Sequence, residues 1–335
     1  MPQFSQGYAV LAGVGADLPA TVRDAVALAT LLRDSARCAF PADQVHLLTE
    51  AGATRAGILT ALERLAQSAA ADAAVIVYFS GHGYCFQPIG QPETLYLLPY
   101  GYDLDDLSHT CMSGGEFTAR LRAIQAKKLL VLLDCCHAGG VAQPKAPGMT
   151  MTKSPLPLQA EAVLAEGSGR VILASSRRDE LSYIGTPYSQ FTEALLEALG
   201  GAGAAEQDGY ARVLDMALYV GRMVPNRTKD KQHPLLKVAN LENNFALAYY
   251  AGGAKTPLPL PNVGGAQSHV TTTMVDEELI EGYRKVLRTY RRNLLEIETR
   301  MAEFVDQRMV PPDLRRARKG VLTMIAELER ELGTR

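Results

Sequence analysis

Residues 74–83 read AVIVYFSGHG, and residues 127–140 read KKLLVLLDCCHAGG. Each contains a continuous apolar run, Ala74 to Phe79 in the first and Leu129 to Leu133 in the second. Unbroken runs of this length suit a strand covered on both faces. Each run then gives way to small and polar residues: Ser80, Gly81, His82 and Gly83 in one, Asp134, Cys135, Cys136 and His137 in the other. In open α/β sheets, sites gather beyond the carboxyl ends of the strands. The two segments therefore predict a pair of buried strands that deliver a histidine and a cysteine pair to one place.

The flanking sequence agrees with that sheet. Tyr8 to Ala12 reads as a strand that closes in a Gly-rich turn, and Val45 to Leu48 and Val171 to Ala174 read as further short strands. Val22 to Arg37 carries Val22, Val26, Ala29 and Leu32 at helical spacing, and Thr54 to Ala66 carries Ile58, Leu62 and Leu65. Helices are also expected at Phe191 to Leu199 and Ala211 to Met223. Strand–helix alternation of this kind predicts an α/β fold, a mostly parallel central sheet flanked by helices. Two stretches interrupt it. Residues 84–116 are loop-rich, and residues 140–166 read as a long structureless loop that begins four residues after Cys136. A loop of that length in a compact domain is usually functional or disordered, which makes it a candidate active-site loop.

Composition divides the chain into three parts: a domain over residues 1–250, a Pro/Gly-rich linker over 251–274 and a Glu/Arg-dense segment over 275–335. In the last, Tyr283, Leu287, Tyr290, Leu294, Ile297, Met301 and Phe304 form one apolar stripe. Pro311 and Pro312 break it, and Leu314, Val321, Ile325, Leu328 and Leu332 form a second. The pattern predicts a C-terminal helical hairpin. It packs on the first domain or on itself, or it docks a regulatory or activating protein partner through residues 275–335.

The bulk numbers narrow the classes. The chain has 335 residues, 47% apolar and 21% charged, with a net charge of −2. Nothing in that balance argues for a nucleic-acid partner, because glutamates offset the basic clusters. No apolar run approaches the ~20 residues of a membrane span, and the opening MPQFSQGYAVLAGVG lacks a basic leader. Five irregularly spaced cysteines, an odd number, fit a reducing compartment better than a disulfide framework. A cytoplasmic location is expected.

The chemistry resides in the two strand ends. A histidine between glycines is open to substrate on both sides, and a cysteine becomes nucleophilic when an imidazole favours its thiolate. Glycines after the cysteine permit a tight turn whose amides can hold an oxyanion. Alone, His82 reads as a structural or surface histidine and Cys136 as a buried apolar cysteine. Zinc is not expected at Cys135, Cys136 and His137, since adjacent residues on a strand point to opposite faces and no fourth ligand is evident. A serine-esterase reading lacks its GxSxG elbow.

Here a family resemblance adds to the residues. YFSGHG resembles the histidine motif of caspase/metacaspase-like cysteine peptidases, and DCCHAGG resembles the metacaspase cysteine motif, with Cys135 and Ala138 where that motif carries serines. The sequence is closer to the bacterial, metacaspase-type branch than to animal caspases. His82 precedes Cys136 by 54 positions, near the spacing of about 50 in caspases. TVRDAVALATLL, LASSRRDELSY, SQFTEALLEAL and HPLLKVANLENNFALAYY resemble further family segments, so the likeness covers roughly residues 5–250 and leaves the C-terminal segment outside it.

The resemblance implies a Cys-His dyad, with Cys136 rather than Cys135 as nucleophile, His82 as base and amides near Gly83 and Cys136 as the oxyanion hole. It places Asp24 and Asp134 in the pocket for the residue before the scissile bond, where two carboxylates select Arg or Lys. An aspartate-selecting pocket would hold arginines, for which Arg23, Arg177 and Arg178 are the nearby residues. Many metacaspases need calcium, and Asp103, Asp105 and Asp106 are available carboxylates. The segment VAQPKA lacks the aspartate that calcium-dependent relatives carry after the cysteine motif, so no cofactor is expected. Lys145 and Lys153 are candidate processing sites in a zymogen. Bacterial relatives with extra domains often serve antiviral defence or regulated cell death. The alternative is an inactive caspase-like scaffold that signals through its C-terminal helices.

Overall fold

The computed structural model describes residues 4–88, 94–135, 149–153 and 169–250, apart from 178–179, 206–207, 240 and 242–243, together with scattered positions between 291 and 329. The chain divides into two compact units, Met1–Val263 and Gly264–Arg335.

In the first unit, elements follow in the order β1 (Gly7–Gly13), α1 (Pro19–Arg33), β2 (Val45–Thr49), α2 (Arg55–Ser68), β3 (Ala74–Pro88), β4 (Thr94–Leu98), α3 (Leu107–Thr110), β5 (Met112–Ser113), α4 (Gly114–Ala123), β6 (Lys128–Cys135), β7 (Met149–Lys153), β8 (Arg170–Ala174), α5 (Gln190–Leu199), β9 (Tyr210–Arg212), α6 (Val213–Arg227), β10 (Leu235–Ala239) and β11 (Ala246–Tyr249). The main sheet has the strand order β10-β8-β6-β3-β1-β2. All neighbours are parallel except β10, which runs antiparallel to β8 at one edge. The fold is α/β with a mixed, mostly parallel sheet flanked by helices.

The period-two alternation of strands divides the core. Leu11, Ile76, Tyr78, Leu130, Leu132 and Leu173 meet α1, α5 and α6 through Leu28, Leu32, Phe191, Leu195 and Val220. Val10, Val75, Val77, Leu129, Val131 and Ile172 meet α2 and α4 through Ile58, Leu62, Leu65, Phe117 and Leu121. Burial on both faces is why these strands read as unbroken apolar runs. Helix starts follow their caps: Thr54, Ser113 and Ser189 each accept a backbone N–H from three residues on.

Several boundaries differ from the sequence reading. The first helix spans Pro19–Arg33 rather than 22–37, because proline is suited to the first turn. The last expected helix begins at Val213, since Tyr210–Arg212 pairs with β11 as a strand. The loop-rich reading of 84–116 fails in most of its length. β3 continues to Pro88, β4 pairs antiparallel with it, β5 pairs with β4, and α4 follows. Tyr84, Phe86, Leu98 and Cys111 form a third small core there. Within 140–166, Met149–Lys153 is a strand, not structureless loop, and it pairs antiparallel with Tyr84–Pro88. The expected linker at 251–274 lies outside the described residues. In the second unit, helical backbone occurs at described positions between 291 and 302 and between 314 and 329. Ion pairs join Arg291 to Glu329 and Arg318 to Glu298.

Close approach of α1 to β1 positions everything that follows. A Cβ on Gly13 would stand 2.3 Å from the Thr21 carbonyl oxygen and 2.8 Å from the Ala25 Cβ. Gly13→Ala is expected to destabilise the protein by about 1–3 kcal/mol, read from urea unfolding midpoints. An unchanged midpoint would show that helix and strand separate freely.

Candidate active site

The site is assembled by pairing between β3 and β6. Ser80 lies opposite Asp134 and Gly81 opposite Cys135. His82 is the next residue of β3, and Cys136 follows Cys135 in sequence. Cys136, His137 and Lys145 lie outside the described residues. Cys135 is fully buried with the α2/α4 core, on the face opposite Asp134. The four described cysteines, Cys38, Cys85, Cys111 and Cys135, are all buried.

His82 sits just past the β6-paired part of β3, with Leu98 opposite it in β4. Its imidazole is 1% exposed, and Nε2 lies 2.7 Å from Asp17 Oδ2, a carboxylate 45% exposed. Tyr84 and Tyr102 flank the ring, with centroids at 5.8 and 6.3 Å. Burial pushes the Tyr102 hydroxyl up to about 12, with the negative charge of Asp17 adding to the rise.

Asp17 is presented by the β1–α1 turn. Val14 N–H donates to the Ser80 carbonyl at 3.0 Å, tying the turn to β3 two residues before His82. Thr21 Oγ1 accepts from the Gly15 N–H and donates to the Leu18 carbonyl. Gly15 and Ala16 both adopt positive φ, 72° and 57°. Glycine takes this conformation freely, whereas an alanine there costs about 1–2 kcal/mol.

A buried acid cluster lies on the α1/α5 side. Asp134 Oδ1 accepts from Ser182 Oγ at 2.9 Å, and Oδ2 accepts from Ser189 Oγ and Thr192 Oγ1. Asp24 Oδ1 accepts from the Ser189 backbone N–H at 3.0 Å, while its buried Oδ2 has no hydrogen-bond partner among the described residues. Ser189 thus joins the two carboxylates and also caps α5 through the Thr192 N–H. Burial raises the Asp24 carboxyl well above the usual range, and the nearby charge of Asp134 raises it further. Tyr78, whose hydroxyl shares a hydrogen bond with Thr192, is likewise raised by burial and then by the two aspartates.

Other residues singled out by the sequence are elsewhere or otherwise occupied. Gly83 pairs with Leu97 of β4. Lys153 ends β7 opposite Tyr84. Arg23 Nε donates to the Pro187 carbonyl. Arg177 is exposed, within 4.0 Å of Glu180, and Arg178 lies outside the described residues. Asp103 accepts from the Asp105 N–H, while Asp106 bonds His109 and Ser108. Those contacts stay within residues 103–109, from the loop into α3. The sequence reading missed Asp17, Ser182, Ser189 and Thr192. Only Ser189 carries a local signal, a serine immediately before an apolar helical segment.

The sequence model of the caspase domain, a peptidase family, matches residues 6–246. The chain belongs to this family. It is therefore a caspase-family cysteine peptidase, and the family segment takes in both strand ends and both buried aspartates. No curated protein matches the chain. A protein of Geobacter sulfurreducens, known from a crystal structure, is similar with a TM-score of 0.51 and 18% identity, over 77% of this chain and 100% of that one. At that identity the likeness speaks to fold. Among the described residues, no helix is long and apolar enough to cross a membrane.

The acid cluster of this caspase-family chain has a measurable consequence. A carboxyl raised in the folded state holds its proton where the unfolded chain has lost it, so stability falls as pH rises from the unfolded value through the folded one. Asp24→Asn removes that dependence. It is expected to unfold at higher urea concentration than wild type at pH 7, with the gain shrinking toward pH 4. A variant less stable than wild type at both pH values would contradict the assigned burial of the charge.

Proposed function

We propose that this peptidase is an endopeptidase that cleaves proteins after arginine or lysine, using Cys136 as nucleophile and His82 as base. The observation that carries the specificity is the buried pair Asp24 and Asp134, with no described cation in hydrogen-bond contact and one Asp24 oxygen unpartnered. An isolated buried carboxylate is unfavourable unless paired. A guanidinium or ammonium entering from the substrate supplies the missing charge and donors. Arginine, with its planar fork, engages both carboxylates more readily than lysine.

For the nucleophile, the support is register and parity. Ile76, Tyr78, Leu130 and Leu132 share the α1/α5 face, Ser80, His82 and Asp134 continue that parity, and Cys136 stands two positions after Asp134 in the sequence. His82 takes the thiol proton, and the thiolate adds to the scissile carbonyl while amides near Gly83 and Cys136 receive the oxyanion. The C–N bond then breaks as His82 returns its proton to the leaving amine. Water, deprotonated by His82, adds to the thioester. The C–S bond breaks and the thiolate regains the proton.

Processing within the segment after Cys136 fits this preference at Lys145, or at Lys153 if β7 first leaves the sheet. No calcium site enters the scheme. In the second unit, the pairs Arg291–Glu329 and Arg318–Glu298 join an ascending to a descending series of positions, which supports an antiparallel helical hairpin. We read it as the module that receives a regulatory protein partner, in a cytoplasmic zymogen of bacterial defence or regulated cell death.

The test is hydrolysis of matched fluorogenic peptides ending in Arg, Lys or Asp. Arg and Lys peptides are expected to be cut, with Cys136→Ala lowering kcat/KM by about 10³-fold or more. Asp24→Asn is expected to lower kcat/KM for the Arg peptide by about 10–100-fold, the worth of one charge-assisted hydrogen bond. Preferential cleavage after Asp would overturn the pocket, and activity retained in Cys136→Ala would overturn the nucleophile.

A further inference from the structure

Beyond the two-residue mechanism, we infer that Asp17 is a positioning residue that orients His82 and fixes which ring nitrogen carries the proton. This rests on His82 being the base. A neutral imidazole has one N–H donor and one lone-pair acceptor. An ionised carboxylate only accepts, so the 2.7 Å contact with Asp17 Oδ2 puts the proton on Nε2. The lone pair able to take the thiol proton is then on Nδ1. When His82 becomes an imidazolium, the neighbouring carboxylate stabilises the new positive charge. Thiol, imidazole and carboxylate thus form a relay of three groups in which only the first two exchange protons.

Three features distinguish this contact from an ordinary surface ion pair, which contributes little. First, the imidazole end is 1% exposed, so its ring nitrogen depends on a protein partner rather than on bulk water. Second, the turn holding Asp17 is braced on both sides: by Val14 N–H on the Ser80 carbonyl of β3, and by Thr21 Oγ1 between Gly15 and Leu18 of its own loop. Third, Ala16 holds positive φ directly before Asp17, a conformation that a non-glycine residue keeps only when its surroundings impose it. Tyr84 and Tyr102 against the ring leave the imidazole few other orientations.

The test compares wild type, Asp17→Ala, Asp17→Asn, His82→Ala and the double variant Asp17→Ala/His82→Ala. Hydrolysis of the best-cut peptide is read together with the rate of Cys136 alkylation by iodoacetamide, followed by mass spectrometry on the intact chain. Asp17 is half-exposed, so both substitutions are expected to leave the thermal midpoint within a few degrees of wild type. Both are expected to lower kcat by about 10²-fold with KM changed less than about twofold, and to slow alkylation in parallel. The double variant is expected to be no slower than His82→Ala, because the two residues act as one unit. Wild-type or faster turnover in Asp17→Ala, a loss confined to KM, or additive losses in the double variant would each overturn the inference while leaving His82 as base. Full activity in His82→Ala would overturn the base assignment and the inference with it.

Discussion

Parallel pairing of β3 with β6 is the constraint on which the rest depends. Two chain segments separated by β4, α3, β5 and α4 leave the sheet at the same level because Gly81 and Cys135 are register partners. A slip of one residue would turn every side chain of one strand to the other face. Leu130 and Leu132 would leave the α1/α5 core for the α2/α4 side, and Asp134 would leave its three hydroxyl partners. The register is therefore held by apolar contacts well below the site, and the geometry at the strand ends is inherited from them.

The acid cluster opposes the general tendency of a core. Asp24 and Asp134 are both fully buried, and like charges at close quarters resist ionisation together. Ser182, Ser189 and Thr192 satisfy Asp134 with hydroxyl hydrogens, while among the described residues Asp24 accepts only from the Ser189 backbone N–H. This asymmetry makes Asp24 the reluctant anion of the pair. A fold that buries a carboxyl in this way gives up stability as pH rises, because the buried group resists ionisation.

How much of this is legible in the sequence depends on how local the cause is. The strands AVIVYF and LLVLL are legible because burial on both faces leaves an unbroken apolar run. The far half of β3 is not, since Tyr84, Cys85 and Phe86 follow glycines and are strand only through β4 and β7, partners that lie later in the chain. The motifs single out His82, Asp24 and Asp134, but not the groups that hold them. Ser189 is 55 positions from Asp134 and 165 from Asp24. Asp17 is 65 positions from His82, in a turn whose aim depends on two left-handed residues and a carbonyl of β3. Such convergence leaves no periodicity for a single sequence to display.

The return of the chain through β7 has a consequence for covalent integrity. On both sides of the interval between Cys135 and Met149 the backbone is paired into the same sheet. The piece ending before Met149 would keep β3 and β6. The piece beginning there would grip β3 through five register pairs of β7 and β6 through five of β8. A molecule nicked in this interval is thus an interleaved two-piece protein whose halves part only by unfolding. A cut there would break the covalent chain and leave the pairing of β7 with β3 and of β8 with β6 in place.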